Sequence, residues 1–299
     1  MTYLKKPDWL KVPYDPQAVN QLAGMLKDLK INTVCKAANC PNMGECYARH
    51  TATFMAMGEN CSRNCRFCNV TCQRPTALDP EEPQHIAEVV EDLNLRHVVI
   101  TQVTRDDLPD GGAAHMAACV RAVKERCPGT SVEVLISDLK GSSEALQTVL
   151  DARPDVMNHN VEMVERLQAE IRPQGNYQRS LEVLRKSKEL APDILTKTGF
   201  MLGLGERDDE VDQLLDDILA TGCDIVTISQ YLQPSKDHWP LDRYVTPEEF
   251  DLWRDKALAK GFKYCASAPL VRSSYRAREA FEAAHQDGAV HQDEPAQQD

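Results

Sequence analysis

The chain has 299 residues, of which 42% are hydrophobic and 27% charged, and carries a formal net charge of -12 at pH 7. That length is enough to bury the core of one large α/β domain or of two smaller ones. The acidity argues against a general affinity for nucleic acid or anionic membrane, because both depend on Lys and Arg neutralising phosphate.

The chain begins MTYLKKPDWLKVPYDPQ, without the basic start, apolar run and small-residue cleavage site of a secretory signal, and unlike an Arg-rich mitochondrial leader. No apolar stretch approaches the roughly 20 residues that span a bilayer. The expectation is a cytoplasmic protein with reduced thiols, which decides how its cysteines are read. Six of the 11 cysteines fall between residues 32 and 70, in two groups of three. The first group, Cys35, Cys40 and Cys46, is spaced C-x4-C-x5-C. Asn39, Pro41, Asn42, Gly44 and Glu45 between them are turn formers, which favours a loop folded around an inorganic centre over three buried free cysteines.

From residue 53 onward, short apolar or β-branched runs alternate with longer amphipathic ones. TFMAM (53–57), HVVIT (97–101), SVEVLI (131–136), PDVMNHN (154–160), LTKTGFMLGL (195–204) and CDIVTIS (223–229) read as strands. Segments such as EEPQHIAEVVEDLNL, GAAHMAACVRAVKERC and NYQRSLEVLRKSKEL have helical spacing. The repeats predict an α/β fold with a parallel sheet, most simply a full or partial (β/α) barrel, with a doubly wound sheet as the other arrangement. Each predicted strand ends in polar or Gly-rich residues: GENCSRNC, QVTRDD, SDLKG, NHN, GLGE and SQYLQPS. In a barrel these ends build the active site, although singly such residues more often cap helices and make turns.

The second cysteine group sits at the first of these ends: Cys61, Cys65 and Cys68, spaced C-x3-C-x2-C. A structural zinc site needs four ligands and a catalytic one usually draws on His or carboxylate. A [4Fe-4S] cube held by three thiolates instead keeps one iron open to a substrate or cofactor. Cys72 is near enough to be weighed as a fourth ligand, but would close that position.

With Phe67 just before its last cysteine, this motif resembles that of the radical S-adenosylmethionine (SAM) enzymes. The resemblance implies that SAM chelates the open iron, and that one electron then splits it to a 5'-deoxyadenosyl radical, with Phe67 covering the cluster. The upstream C-x4-C-x5-C together with KPDWLK, CPNMGEC, RDDLPDGGA, VMNHNVE, MLGLGE, RYVTPEEF and APLVRSSY resembles the lipoyl synthases over most of the chain. In that family a second, auxiliary [4Fe-4S] cluster takes a serine ligand from the R-S-S-Y motif, which maps to Ser274. The resemblance further implies that the auxiliary cluster gives up sulfide to C6 and C8 of an octanoyl chain on a lipoyl-domain protein or glycine-cleavage H protein. It also implies an electron donor such as ferredoxin or flavodoxin.

Asn158, Lys197 and Glu206 are candidates for holding SAM, because they belong to predicted strand ends. For Lys197 a snorkelling barrel lysine, and for Glu206 an ordinary turn, fit equally well. The expected organisation is an N-terminal extension (1–50) with the auxiliary cysteines, a barrel (51–270), and a C-terminal segment (271–299) with R-S-S-Y and an acidic tail. From Glu279 to Asp299 there are six acidic residues and no Lys or Arg, and AHQDGAVHQDEPAQQD reads as a solvated, disordered tail. Three departures from the family pattern, at RLQAEIRPQGNYQRS, at Ser137-Asp138 and at Gln102 and Thr104, bear on the choice of acceptor. Other readings are a biotin synthase type of sulfur-inserting enzyme, a two-cluster electron carrier and a zinc-stabilised binding module.

Overall fold

The computed structural model describes residues 5–11, 31–37, 40, 42, 53–272 and 274–286. Seven strands form one parallel sheet: β1 (Thr53–Ala56), β2 (His97–Gln102), β3 (Ser131–Leu135), β4 (Val156–Asn158), β5 (Leu195–Leu202), β6 (Ile225–Gln230) and β7 (Tyr264–Ala268). They pair in strict chain order, with Thr53 opposite Val99, His97 opposite Ser131, Asn158 opposite Lys197 and Ile225 opposite Tyr264. A doubly wound sheet must reverse its strand order at a switch point. This sheet never does, so the alternative falls and a barrel remains. The barrel is open, because β7 does not pair with β1. Strand β7 was absent from the sequence reading, since YCASA is half-buried and built of small residues rather than β-branched ones.

After a four-residue helix α1 (Val34–Ala37), helices α2 (Glu82–Asp92), α3 (Ala113–Arg126), α4 (Ser143–Leu150), α5 (Glu165–Ile171), α6 (Tyr177–Leu190), α7 (Asp208–Leu219) and α8 (Pro247–Lys260) connect the strands, and α9 (Ala277–Gln286) follows β7. Their starts follow ordinary capping chemistry. Ser142, Asn176 and Thr246 each accept a backbone N–H of the first turn, and Thr246 and Glu249 complete a capping box. The apolar core lies between sheet and helices in two bodies. One joins Phe54, Ile100 and Val134 to Ile86, Met116 and Leu146. The other joins Phe200, Val226 and Ile228 to Leu214, Phe250 and Trp253. Strands covered on both faces show continuous burial, as five of the six residues of β2 and all six of β6 do.

Two further pieces finish the barrel. Ala280, Phe281 and Ala284 of α9 pack on Val156, Leu195, Ile225 and Tyr264, the first residues of β4 to β7, and so plug the amino ends of the strands. Residues 31–37, 40 and 42 lie along the open seam. Asn32 accepts the Met55 N–H at 2.8 Å, and Thr33 bridges Phe54 on the free edge of β1. Asn42 donates to the Leu270 carbonyl beyond β7 at 2.6 Å. The same short segment therefore reaches β1 and the turn just after β7, the two strands that fail to meet.

Candidate active site

Cys61, Cys65 and Cys68 follow β1 on a loop at the carboxyl end of the barrel, as the motif predicts. The chain leaves β1 through Met57 (φ 69°) and Gly58 (φ 90°), a left-handed pair that costs little at Gly58 and strains Met57. Gly112 must also lack a side chain, since a Cβ there would lie 2.3 Å from the Met57 sulfur.

The loop is pinned to four other parts of the chain, around Thr104, Asp138, Ile171 and Trp239. Ser62 N–H donates to Thr104 O at 3.0 Å, and Arg66 N–H to Ile171 O at 2.8 Å. Trp239 N–H donates to Arg66 O at 2.7 Å, while His238 Nε2 donates to Cys68 O at 3.1 Å. The Arg66 guanidinium also lies 4.7 Å over the Trp239 ring. Buried Arg63 makes the remaining links. It donates to Asp106 at 2.7 and 3.0 Å and to Asp138 at 2.6 and 3.0 Å. Asp138 also accepts Arg179 of α6 at 3.2 Å. Although burial opposes it, the Arg63 guanidinium holds the Asp138 carboxyl down to about 2.

Loss of solvent pushes the Cys65 thiol up to about 11 and the Cys68 thiol up to about 12, with Arg172 pulling Cys65 back and Glu162 reinforcing both. Iron binding must therefore displace protons here. Glu162, facing both thiols, adopts φ 77° and is held by its N–H to Gly199 O and its carbonyl to Met201 N–H. A glutamate in that region signals a backbone constrained for a purpose. Desolvation raises its carboxyl above the usual range, against Arg172. Nearby polar atoms at the ends of β2 and β4 lack partners: Gln102 Oε1, Arg105 Nη1, Asn158 Oδ1 and Asn160 Oδ1. A polar ligand inside the barrel mouth fits that set.

Among the described residues no three His, Cys, Asp or Glu side chains converge on one metal ion. A cube differs from an ion, since its thiolates bind different irons and stand apart. The free thiols of Cys61, Cys65 and Cys68 at one rim match a cube with an open iron, while exposed Cys72, also free, pairs in register with Cys61 on a neighbouring short strand.

The other expected site residues are placed as follows. Phe67 is half-buried against the core body of Val161, Phe200 and Tyr231. Asn158 is the last residue of β4, but its side chain turns to Glu133 at 2.8 Å. Lys197 is a correction: it is the third of the eight residues of β5 rather than an end residue, and its ammonium meets both Glu133 oxygens at 3.0 Å. Both side chains are 1% exposed, so the lysine compensates a buried carboxylate. Glu206 closes the GLGE turn, accepting Gly203 N–H at 2.7 Å and Leu204 N–H at 2.8 Å. Arg63, Asp106, Asp138, Glu162 and Arg172 were missed, although RDD and the arginine inside C-S-R-N-C were visible signals.

In the first triplet, Cys35 on α1 is buried and its thiol is raised to about 11 by desolvation, with Cys40 adding to the rise. Cys40 N–H donates to Cys35 O at 2.9 Å, and the Arg272 guanidinium faces Cys40. Ser274 lies in the turn two residues beyond Arg272. Cys46 and residues 287–299 lie outside the described residues, and the start of the tail expected to be disordered is a correction: residues 284–286 end helix α9, with Ala284 buried against the strands.

This combination of open parallel barrel and cysteine rim defines a class. The family model described as the radical SAM superfamily matches residues 55–218, more than half of the chain. The chain is therefore a radical SAM protein, and the superfamily implies a [4Fe-4S] cluster and SAM. Among solved structures it resembles HydG, a maturase of the [FeFe]-hydrogenase, with TM-score 0.57 and 15% identity over 92% of this chain and 61% of that one. It also resembles methylornithine synthase (PylB), with TM-score 0.55 and 12% identity over 93% and 90%. At such identities these likenesses concern the fold. Curated relatives are much nearer: a lipoyl synthase of Caldanaerobacter subterraneus subsp. tengcongensis is 53% identical, over 92% of this chain and 96% of its own. One from Alkaliphilus metalliredigens is 49% identical over 94% and 98%. The chain belongs to the lipoyl synthase family. Among the described residues no helix is long and apolar enough to cross a membrane.

Proposed function

We propose that the protein turns a protein-bound octanoyl-lysine into lipoyl-lysine, replacing one C–H bond at C6 and one at C8 by C–S bonds. Cys61, Cys65 and Cys68 hold the cluster that SAM joins, and Cys35, Cys40, Cys46 and Ser274 hold a second [4Fe-4S] cluster that is the sulfur source. When bound, the first cluster and SAM supply a 5'-deoxyadenosyl radical able to take hydrogen from an unactivated carbon. Each hydrogen leaves on 5'-deoxyadenosine, so two SAM molecules and two electrons serve one acceptor.

The chain's own residues do the positioning. Asn160 and Glu162 offer polar atoms to SAM beneath the cysteine rim, Arg172 offsets the Glu162 charge, and Phe67 and Trp239 shield the site from water. The observation that carries the second cluster is the seam, where Asn42 ties the Cys35–Cys40 segment to the residues just before R-S-S-Y. Serine is a harder ligand than thiolate and suits a cluster that must release an edge. The acceptors are octanoylated lipoyl-domain proteins or glycine-cleavage H protein, with a ferredoxin or flavodoxin as electron donor.

The test is anaerobic reconstitution with iron and sulfide, followed by SAM, dithionite and an octanoyl-lysine peptide, read by mass spectrometry. A product heavier by two sulfur atoms is expected, the dithiol form in which each hydrogen lost from carbon is matched by a proton on the new sulfur. 5'-Deoxyadenosine without sulfur on the peptide overturns the acceptor or the sulfur source, and neither product overturns the reading as a whole.

A further inference from the structure

Arg63 stands between two of the three cysteines that the proposed function assigns to the SAM-binding cluster, and the inference rests on that assignment. Its side chain is 2% exposed and its guanidinium forms four hydrogen bonds to two carboxylates from different strand ends. Asp106 follows β2, 43 residues along the chain, and Asp138 follows β3, 75 residues along. Two forked pairs of this kind fix an arginine in position and orientation, which a lysine cannot reproduce.

The charges matter as much as the geometry. Asp138 is 0% exposed and Asp106 is 25% exposed at the side chain. Around the three groups, Lys140 Nζ donates to the Asp106 carbonyl, Arg179 shares Asp138 at 3.2 Å, His159 and Arg172 stand further off Asp138 without a hydrogen bond to it, and Arg172 and Glu162 face the cysteines from the β4 side. Removing Arg63 therefore leaves two carboxylates under-compensated directly behind the loop, in a setting that screens them poorly. An anionic cluster beside added negative charge is harder to reduce.

We propose that Arg63, with Asp106 and Asp138, is a positioning and electrostatic device for the known reaction: it fixes the cysteine loop and sets the reduction potential of the cluster. A strut acts only through folding, whereas a charge device acts with a sign. Four variants separate the two in the reconstituted full chain: Arg63→Gln, Asp138→Asn, the double variant and Arg63→Lys. The midpoint potential is read by redox titration with EPR detection, alongside KM for SAM and kcat for 5'-deoxyadenosine formation.

Arg63→Gln is expected to move the potential negative and lower kcat by at least about tenfold, a barrier change near 1.4 kcal/mol. Asp138→Asn moves the potential positive, and the double variant lies between the two. Arg63→Lys keeps the charge and loses the fork, so it holds the potential near the parent's while raising KM for SAM several-fold. Should Arg63→Gln fail to fold, the positive shift expected of Asp138→Asn against the unchanged potential expected of Arg63→Lys still decides the matter. Unchanged potentials in Asp138→Asn, or equal shifts in all variants, overturn the device and leave a strut. A parent protein whose EPR signal does not respond to SAM, or that keeps it after Cys65→Ala, instead overturns the cysteine assignment on which the device stands.

Discussion

The two cysteine triplets are held in different ways. The loop carrying Cys61, Cys65 and Cys68 is fixed at the rim by backbone bonds to Thr104, Ile171 and Trp239, by His238 and by the doubly forked Arg63. Among the described residues the segment that carries Cys35 and Cys40 is tied on by Asn32 to Met55, Thr33 to Phe54, Ala37 to Asn69 and Asn42 to Leu270, with Ile31 and Cys35 packed on the core, and none of these ties is a forked ion pair. One site resembles a fixed electrode and the other a strap across an open seam. A cluster that only passes an electron benefits from a rigid setting, whereas one that yields atoms and must be rebuilt benefits from a setting that opens.

The largest expected effects are cysteine substitutions. Cys65→Ala should reduce 5'-deoxyadenosine formation to background, while Cys40→Ala should leave it within a factor of about two and abolish sulfur insertion. Iron content, 5'-deoxyadenosine by chromatography and product by mass spectrometry check both. Equal loss of both activities in Cys40→Ala would break the comparison at its root.

Next comes the barrel that carries both sites. Lys197→Met takes the ammonium from buried Glu133 and leaves it Asn158 at 2.8 Å and His97 at 3.7 Å, at a cost of about 3–5 kcal/mol, and Lys197→Met with Glu133→Leu should recover most of it. Denaturant unfolding of the iron-free chain measures both. A fall in SAM affinity with normal stability would restore Lys197 to the SAM site.

Lys197 also shows how far the residues alone can be read. A lysine inside an apolar run looks the same whether its ammonium meets a carboxylate or a ligand, and its partner lies 64 residues away. Arg63 escaped notice for the same reason, because long-range pairing leaves no local pattern. What was legible is local or periodic. Six strands announced themselves as apolar runs followed by polar ends, and the cysteine spacing carried its chemistry in three positions. The missing strand β7 alternates small residues in half-buried surroundings, so no run of β-branched side chains marks it. The closure of the seam was equally hidden, since Asn42 and Leu270 are 228 residues apart.

A smaller effect is expected from Ser274→Cys. A thiolate holds iron more firmly than an alkoxide, so iron content should stay at the parent level while sulfur insertion slows about tenfold or more, with 5'-deoxyadenosine formation kept. Unchanged insertion would mean that ligand release does not govern the difference between the two sites.

The mildest prediction concerns the strap itself. Asn42 is 2% exposed and its amide donates to Leu270 O at 2.6 Å. Asn42→Ala removes that bond and leaves a carbonyl near the seam without its partner, a loss of about 1 kcal/mol. If the strap opens as its own unit, the cost falls on local opening rather than on the whole fold. Amide hydrogen exchange at residues 31–37 should then quicken by about fivefold, with β2 to β6 unchanged, and iron should be lost first from the auxiliary site. Exchange that quickens throughout the barrel instead would make the seam part of one cooperative unit. The two triplets would then differ in chemistry but not in how firmly the fold holds them.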